Sequence, residues 1–139
     1  VKSLLDIQRL EHGYGESFQL ANYDVKLLID EMDLFKQWFV EEMLGYILSS
    51  QDLALIDSVF DQLVNSAQQQ PQVFVHRDFH VSNLMIIKKG IGIIDSQDAL
   101  IGNKAYDLAS LIDDVRLKTS YSIKKKIYNY YIKFCLSFC

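Results

Sequence analysis

Two polar stretches hold most of the residues able to do chemistry. The first is His76-Arg77-Asp78-Phe79-His80-Val81-Ser82-Asn83, and the second is Asp95-Ser96-Gln97-Asp98. Their types suit the transfer of a phosphoryl group, a reaction that asks little covalent chemistry of a protein. It needs a carboxylate to accept or orient the proton of the attacking hydroxyl. It also needs hard oxygen donors, Asp carboxylates or an Asn side-chain carbonyl, to hold the Mg2+ ions that neutralise the phosphate oxygens. Asp78 and Asn83, five positions apart on one loop between strands, can point into one small volume. Asp95, at the end of the following hairpin, can reach it from the other side. Any one of the three alone would read as an ordinary turn residue; the argument rests on all three in register.

The neighbouring residues carry rival readings. His76 is expected to brace the loop backbone rather than carry a proton. His80 is read as a brace near the substrate, and Arg77 as the partner of a nearby carboxylate. Asp107, at a helix start, can cap N–H groups or anchor the loop, and is read as structural. Asp98 is weighed between a substrate contact and a solvated or capping role. Asp113, Asp114 and Arg116 read as a charged helix face, with Arg116 a further candidate for substrate or phosphate. Glu31, Asp33 and Trp38 could line a cleft, although a lone Trp among Leu and Phe usually belongs to a core. Gly13-Tyr14-Gly15 does not make a phosphate loop: the third glycine is missing and no strand precedes it. A flexible interhelical turn is expected there.

The elements that must position these residues change character at Pro71, the sole proline. Before it the apolar spacing is helical. Leu4, Leu5, Ile7 and Leu10 mark a short first helix, and residues 12–22 read as a loop. The stretch from Tyr23 to about Tyr46 predicts two helices with a break near Asp33. Ser49-Ser50-Gln51-Asp52 predicts the start of a further helix, with an acid in its first turn, running to about Ala67. After Pro71, Val73-Phe74-Val75 reads as a strand. Leu84–Ile87 and Ile91–Ile94 around Lys88-Lys89-Gly90 read as a β-hairpin. From Ala105 a helix is expected with Leu108, Leu111, Ile112 and Val115 on one face, and a last helix from about Ser122. The predicted order is helices, one strand, a polar loop, a hairpin, a second polar loop and helices: an α+β chain.

The 139 residues suit a single domain, and 50% hydrophobic content can supply a core. A net charge of −4 argues against nucleic acid as partner. Lys124-Lys125-Lys126 is expected to be a solvated helix face. Cys135 and Cys139 are expected to be buried, reduced thiols on one helix face. No apolar run reaches transmembrane length and no signal peptide opens the chain, so a cytoplasmic protein without membrane association is expected.

Together these residues resemble the H-R-D-x-x-x-x-N loop of protein kinases, in His76-Arg77-Asp78 through Asn83. The resemblance is closer to the aminoglycoside-phosphotransferase and choline-kinase branch. There a second histidine precedes the Asn, here His80, and a D-L-A helix follows, here Asp107-Leu108-Ala109. Within that branch the chain looks most like the bacterial anomeric kinases of N-acetylmuramate and N-acetylglucosamine, which serve peptidoglycan recycling. The matching stretches are Tyr23-Asp24, Glu31 to Phe39, Val73 to Met85, Ile94 to Ala99, and Ala105 to Leu111 with Asp114 and Arg116. The resemblance implies a mostly helical C-terminal lobe of a protein-kinase-like fold, with ATP and Mg2+ as cofactors. It implies Asp78 as base for the sugar's anomeric hydroxyl, and Asn83 and Asp95 as Mg2+ ligands. Ser96 departs from the Phe that usually follows the Asp95 position, which argues against a protein-kinase-style Phe switch.

Such a kinase also needs an N-terminal lobe with a loop over the ATP phosphates and a strand lysine. Neither motif is found in these residues. The chain is therefore expected to be a partial kinase-like domain spanning 1–139, without the N-lobe and the last helices, and to have little activity alone. Two other readings stay open: an aminoglycoside or choline-type kinase, since both polar loops are acidic, and a truncated remnant serving as a binding module.

Overall fold

The computed structural model describes residues 1–10 and 19–135, so the Gly13-Tyr14-Gly15 turn and Cys139 lie outside the described residues. The architecture is α+β. The chain divides into two compact units, Tyr23–Pro71 in one and the flanking segments Val1–Asn22 and Gln72–Cys139 in the other.

The Tyr23–Pro71 unit is helical. Helix α2, Val25–Leu34, starts at Asp24, whose carboxylate accepts from Leu27 N–H and so satisfies one of the orphan donors of the first turn. The predicted break near Asp33 is not an interruption. The backbone passes through right-handed dihedrals at Leu34 and Phe35 and continues as a π-helical segment, Phe35–Met43. The apolar periodicity cannot distinguish the two ladders, because an i→i+5 bond pattern changes the spacing of the faces only gradually. Gly45, with φ of +64°, ends the segment in a conformation that costs glycine nothing. Helix α3, Ser50–Gln68, opens with a reciprocal capping box: Ser49 accepts from Asp52 N–H, and Asp52 accepts from Ser49 N–H. It ends at the glutamine run before Pro71, and the Gln68 side-chain amide donates to Tyr23 O, 3.0 Å away, tying the unit's two ends. Trp38 is 60% exposed, against the expectation of a core residue.

The second unit carries both polar loops. Helix α1, Lys2–Gln8, packs Leu4 and Leu5 against Phe79, Leu108 and Tyr131. Strand β1, Gln72–Val75, pairs antiparallel with β4, Leu100–Asn103, with Val75 opposite Leu100. Strand β4 was absent from the predicted order. With one glycine inside its four residues and acidic Asp98 just before it, it offers no alternating apolar pattern. Strands β2, Leu84–Ile87, and β3, Gly90–Ile93, form the predicted hairpin, with Gly90 at φ of +132° leaving the Lys88-Lys89 turn. Helix α4, Tyr106–Ile112, is shorter than predicted. Val115 lies past its end and is exposed, so it does not join the buried face. Helix α5, Tyr121–Cys135, buries Tyr131, whose hydroxyl donates to Gln8 Oε1 at 2.6 Å, while Gln8 Nε2 donates to Lys104 O at 2.9 Å. That relay joins α1, α5 and the entry to α4 through satisfied buried polar groups. Cys135 lies half-buried at the end of α5. Of the basic run, Lys125 and Lys126 are exposed and Lys124 pairs with Asp113.

Candidate functional site

The loop from His76 to Asn83 leaves β1 and turns sharply at once. Arg77 has φ of +71°, a left-handed conformation that costs a non-glycine residue on the order of 1 kcal/mol. Asp107, in the first turn of α4 and 0% exposed, holds that turn open. Its Oδ2 accepts from His76 N–H at 2.8 Å and its Oδ1 from Arg77 N–H at 3.1 Å. Burial pushes the Asp107 carboxyl above its ordinary value of 3.8, opposed by these two backbone bonds. The His76 side chain is buried, edge-on to Phe79 with ring centroids 6.1 Å apart, and neither ring nitrogen has a hydrogen-bond partner among the described residues. His76 thus braces the loop by packing and through its backbone N–H.

Beyond Arg77 the loop folds on itself. His80 N–H and the Asn83 side-chain Nδ2 both donate to Asp78 O, at 2.9 and 3.1 Å. Asn83 N–H donates to His80 O at 3.0 Å, closing a short 3-10 turn over Val81–Asn83. Asp78 therefore has a fixed backbone, while its carboxylate remains half exposed, with His80 Nε2 4.0 Å from Oδ1. The amide of Asn83 is buried, and its orientation is set by the bond to Asp78 O, which leaves Oδ1 as its acceptor atom.

The hairpin brings Asp95 to the same end. Asn83 O accepts from Ile94 N–H at 3.1 Å, one step beyond the Leu84–Ile93 pair, so Asp95 follows directly on a residue bonded to Asn83. Asp95 has φ of +71° and an exposed carboxylate. The Asn83 side-chain bond to Asp78 O and the Ile94–Asn83 backbone bond thus gather Asp78, Asn83 and Asp95 at one end of the β2–β3 hairpin. Asp98 lies in the turn closed by Ala99 N–H donating to Ser96 O, and is exposed.

Asn83 and Asp95 offer one amide oxygen and one carboxylate, hard donors of the kind Mg2+ takes. Among the described residues no three His, Cys, Asp or Glu side chains gather to hold a metal by themselves. Magnesium is commonly bound through one or two carboxylates, with waters and substrate phosphates completing its shell, so the donor set fits.

Asp114 departs most from its predicted setting. Rather than facing solvent on a helix, it lies past the end of α4 and is buried. Its Oδ2 accepts from Val81 N–H at 3.2 Å and its Oδ1 from Arg116 N–H at 2.9 Å, with the Arg116 guanidinium 3.5 Å away. The two backbone bonds and the Arg116 charge outweigh burial and hold its carboxyl below 3.8. Arg116, a candidate for substrate contact, is thereby engaged with Asp114. The one signal for Asp114 in the sequence was that the resemblance continued past Leu111 to reach it. Glu31 accepts from the hydroxyl of buried Tyr23, and Asp33 pairs with Lys36 at 2.7 Å, both within the helical unit.

With this fold and loop geometry, the chain belongs to the phosphotransferase enzyme family, whose model matches residues 15–125. It is 42% identical over 95 residues to the N-acetylmuramate/N-acetylglucosamine kinase of Neisseria meningitidis, covering 68% of this chain and 28% of that protein. The kinase of the same name from Pseudomonas aeruginosa gives the same identity and the same shares. That of Pseudomonas putida is 37% identical over 114 residues, 82% of this chain and 32% of the relative. The chain thus spans roughly a third or less of the length of the curated relatives it matches. Among the described residues, no helix is long and apolar enough to cross a membrane.

Proposed function

We propose that these residues carry the base and the metal-holding pair of an ATP- and Mg2+-dependent kinase. Its substrate in this reading is the anomeric hydroxyl of N-acetylmuramate or N-acetylglucosamine. The carrying observation is the bonded chain Asp78–Asn83–Ile94, which sets Asp78, Asn83 and Asp95 around one end of the hairpin. The printed activity of the relatives supports the amino-sugar substrate.

In this reading Asp78 accepts the proton of the anomeric hydroxyl as its oxygen bonds to the γ-phosphorus. The bond from that phosphorus to the β–γ bridging oxygen breaks, and ADP leaves with the electron pair. The half-exposed carboxylate suits this role, because it must meet a hydroxyl arriving from outside while its backbone stays fixed. Asn83 Oδ1 and the Asp95 carboxylate would hold Mg2+, which when bound neutralises phosphate charge. The Asp107 clamp keeps the strained Arg77 turn, and hence Asp78, in place. Asp98 and His80 lie close enough in the chain to border the substrate. The residues constitute the C-terminal-lobe part of a kinase-like domain in the cytoplasm, where ATP is available. Without a phosphate-covering loop or strand lysine among their motifs, the 139 residues alone should turn over little substrate.

The test is ATP-dependent phosphorylation by the protein containing these residues, offered N-acetylmuramate, N-acetylglucosamine, kanamycin and choline, with the product read by phosphorus NMR. Transfer to an amino sugar is expected, and Asp78→Ala should lower turnover by roughly 100- to 10,000-fold. Asn83→Ala and Asp95→Ala should raise the Mg2+ requirement. Transfer to kanamycin or choline instead, or full activity in Asp78→Ala, would overturn the assignment.

A further inference from the structure

The loop is held from two places, the first turn of α4 and the segment just past its end. Asp107 grips the loop's start, at His76 and Arg77, and Asp114, seven residues later, grips it again at Val81. The two grips control different parts of the loop. Val81 is the first residue of the 3-10 turn that ends on Asn83. The N–H groups that open such a turn have no partner within it, so a carboxylate placed there decides whether the turn forms. Asn83 depends on that turn twice over: its N–H donates to His80 O, and its side-chain amide reaches back to Asp78 O.

We infer that Asp114 is a positioning residue for the metal-holding pair, acting through the Val81–Asn83 turn to aim the Asn83 carboxamide, with Arg116 holding Asp114 rather than contacting substrate. This rests on Asn83 being a metal ligand, and it separates Asp107 and Asp114 by task. Asp107 fixes the strained entry to Asp78, and Asp114 fixes the exit to Asn83. Asp113, beside Asp114 in sequence, has no part in it: it is exposed and pairs with Lys124.

The test uses the 139-residue chain and two readouts independent of turnover: amide hydrogen exchange residue by residue, and NMR line broadening at Asn83 and Asp95 by added Mn2+ as a Mg2+ surrogate. Asp114→Asn places an NH2 group where one oxygen accepts. Exchange at Val81 and Asn83 should rise roughly tenfold, the factor one charge-assisted bond is worth, while β1 stays protected. The Mn2+ concentration giving half-maximal broadening at Asn83 should rise several-fold. Arg116→Ala should move the same readouts in the same direction by less, and Asp113→Asn should move neither.

If Asp114→Asn does not fold, Val81→Pro removes the donor and leaves the acid. His80, at φ of −128° and ψ of 169°, already has the extended backbone a following proline requires. It should weaken Mn2+ broadening as Asp114→Asn would. Unchanged Val81 exchange in folded Asp114→Asn overturns the anchoring. Faster exchange with unchanged Mn2+ broadening overturns the link to the metal pair. Neither result bears on whether Asp78 is the base, which the turnover of Asp78→Ala decides separately.

Discussion

Removing Asp107 should damage the fold in a graded way. Asp107→Ala strands two donors, the buried His76 N–H and the half-buried Arg77 N–H, now held at 2.8 and 3.1 Å. A backbone bond to a charged acceptor is worth about 1.5–3 kcal/mol, so the pair represents roughly 3–6 kcal/mol. Part returns, because the site disfavours the ionised carboxyl and alanine removes that group. A net loss of about 2–4 kcal/mol is expected. Asp107→Asn keeps one acceptor and should lose about half as much. Urea unfolding followed by circular dichroism gives the totals. Hydrogen exchange at Val75 and Leu108 isolates the unit that carries the loop from Tyr23–Pro71. A loss under about 1 kcal/mol for Asp107→Ala, or an Asn variant no better than Ala, would refute the reasoning, since the two bonds would then not be holding the strained turn.

Three further outcomes follow from the same geometry. At Asp95, with φ of +71°, Asp95→Gly should be more stable than Asp95→Ala by about 1 kcal/mol in urea unfolding, although both lose the carboxylate and should bind Mn2+ equally poorly. Ser49→Ala should cost about 1 kcal/mol and loosen the first turn of α3, read by exchange at Asp52 and Leu53, because the capping box loses its hydroxyl acceptor. Asp107 and Asp114 should give opposite pH dependences. Asp114, lowered in the fold, stabilises fully above 3.8, and this is lost as pH falls below it. Asp107, raised in the fold, takes up its proton in the native state before the unfolded chain does, so its ionisation penalty is relieved as pH falls towards 3.8. Urea midpoints from neutral pH down to about 3 should therefore show the acid-side gain vanish in Asp107→Asn, and the steeper loss below about 3.8 vanish in Asp114→Asn.

Much of this arrangement was legible from residue types. Ser49 and Asp52 announced α3 through local chemistry alone, and the hairpin followed from two apolar runs around a glycine turn. The three acid and amide residues of the candidate site could be named because their spacing is set by one loop and one hairpin, both short-range structures. What the sequence hid depends on distant partners. Strand β4 exists because β1 pairs with it, not because Leu100–Asn103 has strand character of its own. Asp114 looked like a solvated neighbour of Asp113, and nothing local distinguishes them. One meets a backbone N–H 33 positions earlier in sequence, and the other meets a lysine on the next helix. Trp38 misled for the converse reason, since a large apolar side chain is buried only where a neighbour covers it.

The β2–β3 hairpin has a consequence for handling the protein. It is a two-stranded sheet, so among the described residues each strand has one open edge. Its surface is apolar: Ile86 is 91% exposed, with Met85, Ile87 and Ile91 uncovered beside it. An oily ribbon with free backbone donors and acceptors is a template for strand addition. Colloidal stability of the isolated chain should therefore fall steeply with concentration, and salting-out agents should hasten precipitation. The ribbon that aligns Asn83 with Asp95 would thus set the upper limit on how concentrated a sample can be made.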